Sequence, residues 1–291
     1  MDNIAIVTDT TADIPEELAK ENNITIIPLY VGYEGKLYKE GKEITNQKVY
    51  EKLEAGIKVM TSTPSTVDFV NLYKNIINKE KKTTIYSIHL SSKLSGTVNS
   101  ANQAKKFFPN TRIKIIDSKN VTISLGLIIL EVARAVKSGV SEEKIDHLID
   151  ILIEKSKFFG AIENFEHLFK GGRAPFLGKF LSSAIRFKPI LTIGRNGKIK
   201  LKKFARSKKN ATAELYKQAK KAASYNNKNE IGIFYASDIN TALELEKMIR
   251  DDNDIEIDKL IMTEITTIMS AHTGPGIWGI GICPKVDLHK L

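Results

Sequence analysis

Short apolar runs alternate with helical patterns along the first half of the chain. The apolar runs at residues 4–7, 85–88 and 113–116 are each followed by a polar turn and then by residues with helical spacing. This alternation is typical of βαβ units, in which crossover helices join parallel strands. We therefore predict an α/β protein whose first domain, residues 1–160, is a Rossmann-like parallel sheet with helices.

Beyond residue 160 the pattern favours strands that follow one another directly. Residues 189–193 and 198–204 flank a turn that contains Asn196 and Gly197, which predicts a β-hairpin. Two helices are predicted at residues 210–225 and 241–250, and three further strands at residues 231–235, 257–262 and 277–283. This order favours an α+β domain with a mixed or antiparallel sheet over residues 161–291. We expect the two domains to pack closely, with a cleft between them.

The composition of the chain indicates where in the cell the protein is expected. The chain has 291 residues and one cysteine, Cys283, which excludes an intramolecular disulfide and any multi-cysteine metal site. No apolar run approaches the roughly 20 residues that a membrane span needs. The first residues lack the basic start and apolar core of a signal peptide. We therefore expect a cytoplasmic protein.

The formal net charge is +10, from 44 Lys and Arg against 34 Asp and Glu. The basic runs, such as residues 79–82, are not interleaved with aromatic residues as base-stacking surfaces require. No zinc-finger spacing or basic zipper region is present. We therefore predict no nucleic-acid binding, and consider attraction to an acidic partner or an anionic membrane surface at least as plausible.

Hydroxyl-rich turns follow several of the predicted strands. They lie at residues 8–13, 61–65, 90–97 and 117–118. A strand that enters a helix through such a turn leaves free N–H groups at the helix start, where the helix dipole favours an anion. Ser95 and Thr97 would add hydroxyl donors without adding charge. The alternative for each turn by itself is ordinary helix capping by Ser or Thr.

These turns are expected to meet at one site. In open α/β folds, ligands bind at the carboxyl ends of the parallel strands. We therefore expect all four turns at that edge of one sheet. We also predict that Thr61 and Ser95 lie at the starts of two different helices, with their hydroxyl groups directed at one anion.

Two further residues suggest an anion site. Arg173 follows Gly171 and Gly172, which suit a helix end that needs positive φ, so its guanidinium can be directed at a carboxylate or phosphate. His272 and Thr273 precede Gly-Pro-Gly in what the sequence predicts to be a defined loop. For Arg173 the alternative is a surface side chain, and for His272 it is a structural histidine.

Three acidic residues, Asp9, Asp13 and Asp117, lie at predicted strand ends. They would suit a metal, but we expect them to cap helices or to hydrogen-bond neighbouring loops, with Asp13 as an N-cap. The chain contains no phosphate-binding P-loop, no Gly-x-Gly-x-x-Gly after the first strand and no Gly-x-Ser-x-Gly elbow. The sequence therefore predicts an anion-binding site without an evident catalytic pair.

The motifs, in this order and spacing, resemble the DegV family of fatty-acid-binding proteins. The resemblance rests on the segments Thr8–Asp13, Thr61–Ser65, Leu90–Thr97, Asp117–Ser118, Lys170–Arg173, Lys188–Leu191 and His272–Gly276. It implies a two-domain α/β protein that holds one long-chain fatty acid in a buried tunnel. It also implies no catalytic residue, no metal and no cofactor besides the bound fatty acid.

The resemblance also implies roles for individual residues. Thr61 and Ser95 would hold the carboxylate, with Arg173 and His272 completing the polar end. The full set of predicted ligand-binding residues is Thr61, Ser62, Ser95, Gly96, Thr97, Arg173, His272 and Thr273. The protein would then present the carboxylate to a fatty acid kinase, its partner, for acyl-phosphate formation.

An enzyme acting on a small phosphorylated or hydroxy-acid metabolite is the alternative, with His272 as its acid–base group. The pocket distinguishes the two hypotheses. A long tunnel lined by Leu, Ile and Phe supports the lipid carrier, whereas a small polar cavity supports the enzyme.

Overall fold

The structure is a computed structural model that describes residues 3–183 and 187–291. Its strands are β1 (Ile4–Asp9), β2 (Ile24–Ile27), β3 (Tyr30–Tyr33), β4 (Lys36–Lys39), β5 (Met60–Ser62), β6 (Thr84–His89), β7 (Arg112–Asp117), β8 (Lys157–Ile162), β9 (Lys188–Ile193), β10 (Ile199–Ala205), β11 (Asn229–Tyr235), β12 (Ile257–Glu264) and β13 (Ile277–Pro284). Its helices are α1 (Glu16–Glu21), α2 (Asn46–Glu54), α3 (Thr66–Lys79), α4 (Thr97–Lys105), α5 (Thr122–Lys137), α6 (Glu142–Lys155), α7 (Glu166–Lys170), α8 (Lys208–Ala223), α9 (Ile239–Arg250) and α10 (Thr267–Thr273). Short 3-10 segments lie at Thr10–Ala12, Pro175–Ser183 and Leu288–Lys290.

The parallel sheet predicted for the first half is present, with the strand order β2-β1-β6-β7. Each neighbouring pair runs parallel. Every residue of β6 is buried, which is typical of a central strand in a parallel sheet. The turns after β1, β6 and β7 therefore leave the sheet at one edge, its carboxyl end.

A small antiparallel sheet has the order β4-β3-β5. The β3–β4 hairpin turns at Glu34 and Gly35, whose φ angles of 50° and 76° are both left-handed. Two left-handed turn residues match the twist of a two-stranded hairpin, so the chain can reverse tightly. β5 pairs with the other edge of β3 and places Thr61 opposite Val31.

The expectation that Thr61 begins a helix on the parallel sheet is wrong. Thr61 lies within β5, and α3 begins only at Thr66, where Ser65 and Asp68 form a capping box. β5 is three residues long and forms its hydrogen bonds along the free edge of β3. The turn at residues 61–65 therefore follows a strand of the small sheet and not a strand of the parallel sheet.

The second half forms a mixed sheet with the order β10-β9-β8-β13-β11-β12. Neighbouring strands are antiparallel except for β11 and β12. The predicted β9–β10 hairpin is present, and its turn residue Gly197 has a φ of 78°. A Cβ atom at Gly197 would overlap the side chain of Ser91, whose hydroxyl donates to the Gly197 carbonyl at 2.8 Å. The hairpin tip therefore lies against the turn that follows β6.

Helix α5 connects the two large sheets. Twelve of its 16 residues are buried, and it packs on β1 as well as on β11 and β13. Helix α5 can approach β13 closely because Gly281 has no Cβ. A Cβ at this position would lie 2.9 Å from the Ser124 Cα. One hydrophobic cluster therefore includes residues from both sheets, among them Ile6 and Phe234. The proposed domain border at residue 160 falls within β8, and the division into two domains stays a prediction.

The α/β architecture with a parallel and a mixed sheet confirms the predicted fold class. Within residues 3–183 and 187–291, no helix combines the length and the apolar character that crossing a membrane requires.

Candidate functional site

A largely apolar cavity lies where the carboxyl ends of the parallel strands meet the mixed sheet. Its apolar walls include Leu29, Leu90, Phe158, Leu191, Ile193 and Ile277. The space between the lining atoms, counted with its opening to solvent, is about 750 Å³.

Four of the predicted site residues meet in the wall of this cavity: Thr61, Ser95, Arg173 and His272. The Thr61 hydroxyl oxygen lies 2.9 Å from His272 Nε2. Arg173 Nε donates a hydrogen bond of 3.2 Å to the carbonyl of Leu94, directly before Ser95. The cluster therefore joins β5, the turn after β6, the end of α7 and the end of α10.

The structure places His272 on a helix and not in the predicted loop. It occupies the last turn of α10, and Gly274, with a φ of 68°, ends that helix. Burial lowers the pKa of His272 to about 4, and the positive charge of Arg173 adds to this effect. The ring is therefore neutral at neutral pH and offers one hydrogen-bond donor and one acceptor.

Arg173 is a half-buried cation that has no counter-ion among the described residues. Its guanidinium donates to the carbonyls of Leu94 and Gly171, and no carboxylate in residues 3–183 or 187–291 pairs with it. Burial lowers the pKa of Arg173 from its ordinary value, but a guanidinium remains charged in proteins. A partly desolvated charge of this kind is stabilised when an anion binds beside it.

Ser95 lies directly before Gly96, the N-cap of α4, and so near the start of a helix, as predicted. Its hydroxyl oxygen lies 2.9 Å from that of Thr97, which is fully buried. Gly96 lies next to the turn after β5, since a Cβ there would be 3.7 Å from Thr63 Cγ2. Thr97 and Gly96 lie outside the cavity lining, next to Ser95, and their role in ligand binding stays a prediction.

Two carboxylates hold the turn after β6. Asp9 Oδ2 accepts hydrogen bonds from Leu90 N at 3.2 Å and from His89 Nδ1 at 2.9 Å. Asp117 accepts from the backbone and hydroxyl groups of Ser92. In the described part of the chain, no group of three or more His, Cys, Asp or Glu is arranged to hold a metal ion. These acidic side chains therefore fix the turn that carries Ser95.

Asp13 and Glu40 hold the first turn of α10. Asp13 is not the predicted N-cap of α1, which is Pro15; it accepts a 3.0 Å hydrogen bond from Thr266 N. Glu40 accepts from the Thr267 hydroxyl and from Ile268 N, both at 2.8 Å. Burial raises the pKa of both carboxyl groups. Two buried acids therefore anchor one end of the helix whose other end carries His272.

Ser62 and Thr273 also line the cavity. The Thr273 hydroxyl lies 2.9 Å from the Met269 carbonyl, to which it donates within α10. Sequence reasoning did not single out Thr63 as a site residue, although it shares a turn with Thr61, and it identified none of the apolar lining. A Leu or Ile beside a cavity has the same pattern in the sequence as one in the core.

The site can be compared with known proteins. A family model with the description "Uncharacterised protein, DegV family" matches residues 3–285 of this chain. The chain belongs to the DegV family. A DegV domain-containing protein of Staphylococcus aureus is 32% identical over 280 residues, which are 96% of this chain and 98% of the relative.

Two solved DegV structures share the fold over almost their full length. The DegV family protein of Thermus thermophilus, described by its fatty acid binding, has a TM-score of 0.91 and 27% identity, with 97% of this chain and 100% of that chain covered. DegV of Bacillus subtilis, described as a fatty acid binding protein, has a TM-score of 0.85 and 28% identity, with 97% and 99% covered. These DegV relatives confirm the predicted resemblance and the fold.

Proposed function

We propose that this protein binds one long-chain fatty acid, with the acyl tail in the apolar cavity and the carboxylate at its polar cluster. The observation that carries the proposal is a half-buried Arg173, without a carboxylate partner in the described residues, in the wall of a largely apolar cavity. A ligand with one negative charge and an apolar tail complements both features. Fatty acid binding by the T. thermophilus and B. subtilis relatives supports the proposal.

The tail supplies most of the affinity in this proposal. Burial of one methylene contributes roughly 0.8 kcal/mol, so a chain of about sixteen carbons gains on the order of 12 kcal/mol before ordering costs. The carboxylate must exchange its water for protein donors, because an unsatisfied buried charge is costly. The Thr61 and Ser95 hydroxyls, with Arg173, are suitable donors.

We also propose that the protein is a carrier that presents the carboxylate to a fatty acid kinase and is not itself an enzyme. In that reaction a carboxylate oxygen forms a bond to the terminal phosphorus of a nucleoside triphosphate. The bond from that phosphorus to its bridging oxygen breaks, and the diphosphate leaves with the electron pair. The depressed pKa of His272 makes it a weak base, which supports a hydrogen-bonding role.

The mainly apolar lining favours the lipid carrier over an enzyme acting on a small polar metabolite. The cytoplasmic location, the contact with an anionic membrane surface and the absence of nucleic-acid binding stay predictions from composition and charge.

Native mass spectrometry of the protein as purified tests the proposal. We expect a mass addition equal to one fatty acid, which is lost on denaturation. Ile199→Trp, which fills the cavity, should abolish the addition. Leu201→Trp, on the same strand but outside the lining, is the matched control and should retain it. A wild-type protein that neither carries nor binds added palmitate would refute the proposal.

A further inference from the structure

A second, open groove adjoins the polar end of the cavity. Its walls come from the α2–β5 connection, the end of α7 and the last turn of α10. Three residues, Thr61, Arg173 and His272, line both spaces and so form the wall between them. The groove contains about 1,270 Å³ of space between its lining atoms, counted with its opening to solvent.

The lining of this outer groove is basic. It includes Lys58, His167, Lys170 and Arg173, and no Asp or Glu among the described residues lines it. Lys58 is exposed, and no ion pair to a described residue involves it. Lys170 lies 2.7 Å from Glu166, but both side chains are largely exposed, at 68% and 47%. Exposed pairs of this kind contribute little free energy, so both lysines are available to an anion.

We propose that the outer groove receives a phosphoryl group joined to the bound carboxylate, with Lys58 and Lys170 as its cationic contacts. The inference rests on the proposed function, because it needs a carboxylate at the shared wall. The groove lies across the shared wall from the space proposed for the acyl tail, so it offers room for a phosphorus atom bonded to the outward carboxylate oxygen.

The negative charge of the phosphoryl group is a second reason for this assignment. A phosphate ester carries about −1.5 to −2 at neutral pH, whereas the carboxylate carries −1. His272 is neutral there, so the wall itself contains one cation, Arg173. The additional negative charge therefore needs further cations on the groove side, where Lys58 and Lys170 are the lysines that line it.

Calorimetry with two ligands tests this assignment. Palmitate is compared with 2-oxoheptadecylphosphonate, in which a CH₂ group replaces the bridging oxygen of palmitoyl phosphate. In Lys58→Gln/Lys170→Gln, we expect the affinity for the phosphonate to fall about tenfold or more, because two charge-assisted contacts are lost. The affinity for palmitate should change by less than about twofold, since neither lysine lines the cavity.

Lys42→Gln/Lys74→Gln is the matched control, since it removes the same charge from exposed lysines outside both linings. It should leave both affinities nearly unchanged. An equal loss of phosphonate affinity in both double variants, or no loss in either, would overturn the groove assignment while palmitate binding stands. If wild-type protein fails to bind palmitate, the proposed function fails first and the groove assignment with it.

Discussion

Two histidines of this chain hydrogen-bond hydroxyl groups, yet their surroundings differ completely. His89 lies between Asp9 Oδ2 at 2.9 Å and Ser87 Oγ at 2.7 Å, the order of groups in a catalytic triad. All three residues are fully buried, and Ser87 also contacts the Tyr73 hydroxyl at 2.8 Å. His272 contacts Thr61 and lines a cavity, and no carboxylate of the described residues is paired with it.

The comparison shows that a triad-like arrangement does not by itself mark a site. In the His89 network each polar group has a partner and no substrate can reach the serine, so the network stabilises the fold. In the His272 cluster an adjacent cation, Arg173, has backbone carbonyls as its partners and no anion in the described residues. This incomplete pairing is the reason why we propose ligand binding at the second cluster and not at the first.

The largest expected effect is on stability, from Asp9→Ala. This change removes the acceptor for Thr11 N, His89 Nδ1 and Leu90 N in a fully buried place. We expect the free energy of unfolding to fall by about 3–5 kcal/mol, measured by urea denaturation. Asp117→Ala, a partly exposed control, should cost about 1 kcal/mol. A loss below about 1 kcal/mol for Asp9→Ala would show that the His89 network is not a stabilising unit.

Arg173→Ala should act on binding and not on folding. We expect palmitate affinity to fall by about 1–3 kcal/mol, because one charge-assisted hydrogen bond is lost while burial of the tail is retained. The unfolding free energy should change little, since no ion pair with a described residue is broken. Calorimetry of palmitate binding, with Arg173→Lys to separate charge from guanidinium shape, checks this. Equal affinity together with equal turnover by the kinase would contradict the assignment.

Glu40, which holds the first turn of α10, predicts that the free energy of unfolding depends on pH. Burial raises the folded-state pKa of Glu40 above 4.5, so the folded protein retains a proton that the unfolded chain has released. Stability therefore declines as pH rises from about 4.5 through the folded pKa, by at most about 1.4 kcal/mol per pH unit. Glu40→Gln should remove this contribution, and exposed Glu51→Gln should not. Identical pH profiles of urea unfolding for wild type and Glu40→Gln would show that Glu40 does not cause this pH dependence.

The smallest effect is expected from His272→Ala. The protein should still bind palmitate, with a loss of about 1 kcal/mol or less, because one neutral hydrogen bond is removed. Support for acyl-phosphate formation by the kinase should weaken more than binding does. His272→Gln, which can still hydrogen-bond Thr61, is the control and should restore part of the activity. Unchanged acyl-phosphate formation in His272→Ala would leave His272 as a structural residue.

Local chemistry was sufficient to find most of the polar cluster. Ser95 precedes a helix as predicted, and Arg173 follows a glycine pair in which Gly172 has a φ of 75°. Such features depend on a few neighbouring residues, so they are visible in the sequence. The hydroxyl-rich turn identifies Thr61, but it does not show which sheet the preceding strand joins, because strands pair with partners that are far away in the sequence.

Many of the strands and helices and the β9–β10 hairpin follow from the sequence, because apolar periodicity and turn chemistry act over a few residues. The tertiary fold, in contrast, brings together Thr61 and His272, which are 211 residues apart and share a hydrogen bond. It also decided which leucines and isoleucines face a cavity and which fill the core, and that Asp9 belongs to a closed network. These properties arise from packing between distant segments, where the same residue types meet different partners.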